Sequence, residues 1–135
     1  MDKSNLIILR GISGSGKSSV AEFIKQGRLI DHFEADMFFS LGGPYEFDVT
    51  KLAQSHRWCE TSVETSMKYG KDVIVSNTFT RESEMKPYLD MAVKYDYKVT
   101  VMVVEKRHTN SDIHSVPDTT KEKQANRLRG SIKLI

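Results

Sequence analysis

The sequence has a single cysteine, little net charge and no long apolar run. Cys59 has no second cysteine to pair with, so no intrachain disulfide forms and nothing points to an oxidising compartment. A net charge of +2 is too small for a dedicated nucleic-acid coat. The apolar runs are too short to span a membrane, and no charged-then-apolar leader precedes them. We therefore predict a soluble protein of the cytoplasm, or of the host cytoplasm for a viral source, with no membrane partner.

Internal repeats and low-complexity segments are also absent, and 135 residues suffice for one hydrophobic core but not for two. We predict a single domain over residues 1–135. Charge is distributed unevenly within it, because residues 106–133 carry seven basic and three acidic side chains while the remainder is slightly acidic. A basic C-terminal end suits an anionic ligand, and a solvated basic helix face explains the same pattern equally well.

Apolar periodicity alternates along the chain between the period of strands and that of helices. Strands are predicted at 6–10, 28–35, 72–76 and 97–105, and helices at 18–26, between 48 and 70, at 81–95 and at 118–129. The strand at 72–76 is continuously apolar, as expected of a strand that is buried on both faces. This order predicts an α/β fold with a parallel sheet of about four strands flanked by helices.

A glycine-rich turn follows the first predicted strand and fits the P-loop (Walker A) pattern G-x-x-x-x-G-K-S/T. Glycines lack a Cβ, so consecutive backbone N–H groups can converge on phosphate oxygens at the positive end of a helix. Lys17 adds a charge between the β- and γ-phosphates, and the Ser18 hydroxyl is a Mg²⁺ ligand. A glycine turn before an ordinary capped helix is the alternative. We predict ATP and Mg²⁺ as cofactors, bound by Gly11, Ser13, Gly14, Ser15, Gly16, Lys17, Ser18 and Ser19.

Ligands of open α/β sheets lie outside the carboxyl ends of the strands, so residues that follow strands are the remaining candidates. Asp36 follows the second strand and is predicted to orient and deprotonate an attacking hydroxyl; holding metal or capping a helix are the alternatives. The third strand ends without an acidic residue, so the usual second carboxylate for Mg²⁺ is missing there. This absence favours a transferase, in which Ser18 and water hold most of the metal, over a water-activating ATPase.

Four segments follow the glycine turn in a fixed order: EADMFF (34–39), YEFDVTKLAQSHRWC (45–59), VIVSNTFTRESEMKPY (73–88) and IHSVP (113–117). Together with the turn, they resemble P-loop kinases of the polynucleotide-kinase type. In particular, the chain resembles the small AAA_33-like members found in bacteriophages and fused to larger eukaryotic proteins. The resemblance covers nearly the whole chain and implies the P-loop NTPase fold.

The resemblance also implies roles for single residues. Asp36 matches the family's general base, and Asn77 lies where related kinases have Asp or Asn after strand three, which makes it a nucleotide-binding candidate. Residues 105–117 resemble a shortened lid, in which Arg107 is the nearest candidate for an arginine over the ATP phosphates. The chain departs from the family at Phe39, where polynucleotide 5′-kinases usually place an arginine that grips the acceptor's phosphate. It departs again at Ser115, where glycine is commoner.

We predict an ATP-dependent phosphotransferase that moves the γ-phosphoryl group to a hydroxyl, with Lys17, Asp36 and Arg107 as catalytic residues. The expected acceptor is a polynucleotide, a nucleotide or a nucleoside, in that order, and therefore a nucleic acid or a small molecule. Two other functions fit the same residues. One is an NTP hydrolase or nucleotide-state switch, and the other is a protein that keeps ATP, has lost transfer and acts through a partner.

Overall fold

The computed structural model describes residues 2–110 and 114–134. Four strands form one parallel sheet in the order β2-β3-β1-β4: β1 (Asn5–Arg10), β2 (Ile30–Phe33), β3 (Asp72–Asn77) and β4 (Lys98–Val103). The helices are α1 (Lys17–Lys25), α2 (Leu52–Lys68), α3 (Glu82–Lys94) and α4 (Asp118–Ser131). The predicted α/β architecture, a four-stranded parallel sheet flanked by helices, is confirmed.

The hydrophobic core lies on both faces of the central strands β1 and β3. Successive strand residues point to opposite faces, so Ile8 and Val75 pack with α2 and α3 while Leu9 and Ile74 pack with α1. These four side chains are fully buried. Burial on both faces explains why β3 is an unbroken apolar run in the sequence.

Helix α2 is preceded by a short 3-10 turn, Val49–Lys51, which Asp48 caps. The Asp48 carboxylate accepts the backbone N–H of Thr50 at 3.0 Å, as an N-cap residue does. Pro87 lies inside α3, which continues past it to Lys94. In the part of the chain that the structure describes, no helix is both long enough and apolar enough to cross a membrane.

A 3-10 helix, Ala35–Ser40, follows β2 directly; we call it the 35–40 helix. The sequence predicted a strand to residue 35, and this boundary was wrong because β2 ends at Phe33. The side chain of Asn77, at the end of β3, accepts the Ala35 N–H at 2.9 Å, which diverts the chain away from the sheet. Asp36 therefore lies in the first turn of a helix rather than at the tip of a strand.

Candidate active site

The turn between β1 and α1, residues 11–16, has a backbone that only glycines adopt readily. Gly14 and Gly16 have φ angles of 76° and 102°, in the left-handed region. A Cβ on Gly11 would lie 2.5 Å from Ser15 Oγ and 2.6 Å from the carbonyl oxygen of Val104. The turn leads into the first turn of α1, where amide N–H groups have no acceptor within the helix. This cradle of donors fits a phosphate group.

Lys17 folds back over this turn. Its Nζ donates hydrogen bonds to the carbonyl oxygens of Gly11 and Ile12, both at 2.9 Å. An ammonium group binds a charged oxygen more strongly than a neutral carbonyl. Phosphate oxygens bound at the turn would therefore replace these carbonyls as hydrogen-bond acceptors of Lys17.

A carboxylate that our sequence analysis did not single out lies beside Ser18. Glu34, directly before the 35–40 helix, accepts hydrogen bonds from the hydroxyls of Ser18 and Ser76, the second at 2.9 Å. The same oxygen lies 3.3 Å from His32 Nε2, which in turn lies 2.7 Å from Ser76 Oγ. Burial raises the pKa of Glu34, but its bonds to His32, Ser18 and Ser76 outweigh burial and hold the pKa below its ordinary value. Glu34 is therefore an ionised side chain at neutral pH.

Ser18 and Glu34 together fit a magnesium ion. In nucleotide sites Mg²⁺ keeps several waters and is held by one or two protein oxygens plus the phosphates. A cage of three or more His, Cys, Asp or Glu side chains is not found within residues 2–110 and 114–134, and such a cage is not needed here. β3 supplies no carboxylate at its end, but the structure brings Glu34 there, bonded to Ser76. The preference for a transferase over a water-activating ATPase, which rested on a missing carboxylate, is therefore not supported by this part of the site.

Asp36 lies close to these groups, with its side chain 46% exposed. Partial burial raises its pKa above the ordinary value, and Glu34 adds to the rise; His114, Tyr45 and Lys17 oppose it. His114 Nε2 lies 3.8 Å from Asp36 Oδ2. A raised pKa makes the carboxylate a better proton acceptor, as a general base requires.

Asn77 contacts the backbone of the residue that precedes Asp36. Its side-chain oxygen accepts the Ala35 N–H, and its amide nitrogen lies 3.8 Å from Cys59 Sγ. Asn77 thus fixes the start of the helix that carries Asp36. Its contact with a nucleotide stays a prediction.

The predicted lid, residues 105–117, is described except for 111–113, which lie outside the described residues. The Arg107 side chain is 84% exposed, and its Nε donates to Glu105 at 2.5 Å. His108 is the lid residue that contacts the turn, with Nε2 3.3 Å from the Ser15 carbonyl oxygen. The structure thus brings Lys17, Ser18 and Asp36 to one edge of the sheet and leaves Arg107 in solvent.

The serines of the turn differ in their surroundings. The Ser13 N–H donates to the side-chain oxygen of Gln124 on α4 at 2.9 Å. Ser15 Oγ is buried and has no hydrogen-bond partner among the described residues. Ser18 and Ser19 are exposed on the first turn of α1. An orphaned hydroxyl and a helix end open to solvent are both consistent with a turn built to receive a ligand.

Comparison with known proteins places the chain in a family. The sequence profile of AAA_33, described as an AAA domain, matches residues 6–112. Human (Homo sapiens) NEDD4-binding protein 2 is 34% identical over 99 residues. That alignment covers 70% of this chain and only 5% of the human protein, so the chain spans a small part of that relative's length.

Solved structures share the fold at low sequence identity. A chain of the Pnkp1/Rnl/Hen1 RNA repair complex has a TM-score of 0.76 at 18% identity, covering 97% of this chain and 46% of its own length. The Mycobacterium tuberculosis APS kinase CysC in complex with AMPPNP and APS has a TM-score of 0.56 at 18% identity, covering 78% and 64%. A Sinorhizobium meliloti gluconokinase has a TM-score of 0.61 at 16% identity, covering 95% and 77%. Since the profile spans more than half of the sequence and kinases share its architecture, the chain belongs to the AAA_33 family and has the P-loop kinase fold.

Proposed function

We propose that this protein transfers the γ-phosphoryl group of ATP to an alcohol in the presence of Mg²⁺. The observation that carries the proposal is the position of Asp36, a carboxylate of raised pKa at the same edge of the sheet as Lys17 and Ser18. The kinase fold supports the reaction class, and the AMPPNP bound by the related APS kinase fold supports the nucleotide.

Each residue has a defined task in this reaction. The glycine turn and Lys17 hold the β- and γ-phosphates, with Lys17 exchanging the Gly11 and Ile12 carbonyls for phosphate oxygens. Ser18 and Glu34 would hold a magnesium ion, which would neutralise phosphate charge. The acceptor oxygen attacks the γ-phosphorus while the bond from phosphorus to the ADP oxygen breaks. The hydroxyl proton passes to Asp36.

A nucleotide-binding protein without transfer activity is the second candidate. One observation favours it: Arg107, the arginine expected over the phosphates, is paired with Glu105 and points into solvent. An arginine that reaches the phosphates during transfer raises turnover by about a thousandfold or more. A lid whose arginine stays in solvent would leave binding intact and transfer slow.

The test is a transfer assay with γ-labelled ATP, Mg²⁺ and a panel of nucleosides, nucleotides and oligonucleotides. Asp36→Asn should lower label on the acceptor by about a hundredfold or more, while ATP affinity persists. Asp48→Asn is the matched control, because Asp48 caps the 3-10 turn that precedes α2 and asparagine caps equally well. Label in free phosphate alone would identify a hydrolase. Tight ATP binding with no label transferred would identify the binding protein.

A further inference from the structure

We propose that the acceptor is an uncharged, ring-bearing alcohol of the nucleoside type, with no phosphate near its reacting hydroxyl. Its ring would lie on the side chain of Tyr45, beside Asp36. The inference rests on the proposed function, because it assigns the substrate class of the same site. It differs from the acceptor order expected from the sequence, in which polynucleotides come first.

An aromatic surface lies next to Asp36. Phe39 is buried, at 7% exposure, and its ring contacts the rings of Tyr45 and Phe47 at 6.2 Å and 5.2 Å between centroids. Tyr45 and Phe47 are themselves 38% and 52% exposed. A buried ring thus supports two rings that are partly exposed to water. Covering exposed aromatic area with a flat apolar ligand is favourable.

His114 shows what fits on Tyr45. Its imidazole is stacked on the Tyr45 ring, with centroids 4.1 Å apart and an interplanar angle of 22°. In this position its Nε2 lies 3.8 Å from Asp36 Oδ2. A flat heterocycle can therefore lie on Tyr45 and direct a polar atom toward the base. An acceptor ring that displaces the His114 side chain would hold its hydroxyl where Nε2 now lies.

Charge decides which ring compounds this surface accepts. Residues 29–50 contain five acidic side chains and no lysine or arginine. Position 39, three residues after Asp36, holds the buried Phe39 in place of a cation. Lys17, whose charge acts on Asp36, donates to carbonyls of the glycine turn. A phosphate beside the reacting hydroxyl would thus lie near Glu34 and Asp36, which repel it.

The first experiment compares matched acceptors. Transfer from γ-labelled ATP is measured for adenosine and cytidine, for their 3′-monophosphates and for a 5′-hydroxyl oligonucleotide. We expect kcat/KM for each nucleoside to exceed that of its 3′-monophosphate by more than about tenfold. The ratio should narrow as salt is raised, because screening weakens the repulsion.

The outcomes separate the two proposals. Preference for the 3′-monophosphates or the oligonucleotide would overturn this inference and leave the proposed function standing. No label on any acceptor would overturn both. A nucleoside preference that does not change with salt would overturn the electrostatic basis for rejecting phosphate.

The second experiment tests the ring itself. Tyr45→Leu should raise KM for the nucleoside by about fivefold or more, since stacking of a base on an aromatic side chain contributes that much, and should leave KM for ATP within about twofold. Tyr45→Phe keeps the ring and loses the hydroxyl that bonds to Asp36, so KM for the nucleoside should remain low. Tyr69→Leu, at a tyrosine 78% exposed beyond the end of α2, is the control. An equal rise in KM for ATP and nucleoside in Tyr45→Leu would overturn the proposal.

Discussion

The Ser76 hydroxyl, near the end of β3, donates a hydrogen bond at 2.9 Å to Glu34, the residue that follows β2. Through this bond β3 holds a carboxylate that belongs to the β2 side of the sheet. Because β3 lies between β2 and β1, the carboxylate also reaches Ser18, which follows β1. Ser18 and Glu34, which we propose hold Mg²⁺, are therefore brought together from the segments that follow β1 and β2, with β3 between the two strands.

Glu34→Gln should weaken Mg²⁺-dependent ATP binding by about tenfold or more, because groups that orient a metal site contribute that much to affinity. Binding without Mg²⁺ should be unchanged or tighter, since a negative charge near the phosphates is removed. Titration calorimetry with and without Mg²⁺ measures both. Glu22→Gln, at an exposed α1 residue, is the control. Equal weakening in the two conditions would contradict a role at the metal.

Lys17→Ala should reduce ATP affinity and remove turnover, because alanine has no charged group to donate to phosphate oxygens at the glycine turn. The lost contact is a charge-assisted hydrogen bond to phosphate, worth more than a neutral one. Lys25→Ala, at the last turn of α1, keeps the helix and should bind ATP normally. Wild-type affinity and turnover in Lys17→Ala would remove the nucleotide-binding interpretation of the turn.

Asp36→Asn should raise thermal stability at pH 7 while lowering transfer. The folded state raises the pKa of Asp36 above 3.8, so it binds the proton more tightly than the unfolded chain does. The free energy of unfolding consequently falls as pH rises from 3.8 through the raised pKa, and asparagine avoids this loss. The difference in Tm between variant and wild type should narrow as pH is lowered toward 3.8. A variant less stable than wild type at pH 7 would contradict the raised pKa.

The transfer rate should depend on pH through the ionisation of Asp36. Asp36 accepts a proton only when ionised, so turnover at saturating ATP should fall as pH falls through its raised pKa, above the range of an ordinary aspartate. His114, Tyr45 and Lys17 lower this pKa and Glu34 raises it. Leu in place of Tyr45 should therefore move the acidic limb of the pH–rate profile upward. An unchanged limb would show that Tyr45 does not act on the base.

Gly11→Ala should destabilise the protein by about 1–3 kcal/mol, as overpacking does. The new Cβ would lie 2.6 Å from the Val104 carbonyl, and backbone cannot rotate out of its way. Gly130→Ala in α4 is the control, since its Cβ meets nothing within 4 Å. That change should be neutral or stabilise by up to about 1 kcal/mol. Chemical denaturation of both variants measures the difference, and equal midpoints would contradict the clash.

Arg107→Ala should lower kcat more than it lowers ATP affinity, if Arg107 leaves Glu105 during transfer. Glu105→Gln should then raise kcat by up to about fivefold, because an exposed ion pair is worth about 0.2–1 kcal/mol and the variant releases the arginine. Steady-state kinetics with saturating ATP measures both. Wild-type kcat in both variants would show that Arg107 stays in solvent and would support His108 as the lid residue at the turn.

The sequence predicts local features of the fold well, and the turn between β1 and α1 that contains the P-loop motif is one of them. Lys17 and Ser18 are fixed by a motif whose residues are consecutive, and β3 by an apolar run that burial on both faces requires. Glu34 was not predicted because two of its hydrogen-bond partners, Ser18 and Ser76, lie on other elements of the fold. Its bond to Ser76 spans 42 residues and depends on β3 lying between β2 and β1. The order of the strands along the chain does not determine this order within the sheet. Asn77 and Ala35 are also 42 residues apart in the sequence, so local sequence patterns could not predict where β2 ends.

The segment that carries Asp36, and that we propose contacts the acceptor, can be exchanged as a unit. The segment between Ala35 and Asp48 is held at one end by Asn77 and at the other by the cap of Asp48 on Thr50. Neither anchor belongs to the glycine turn. Loops of other length and composition could therefore be grafted between these two points, keeping Asp36 while replacing the rings behind it. A single scaffold would then offer one nucleotide site with a library of interchangeable acceptor surfaces.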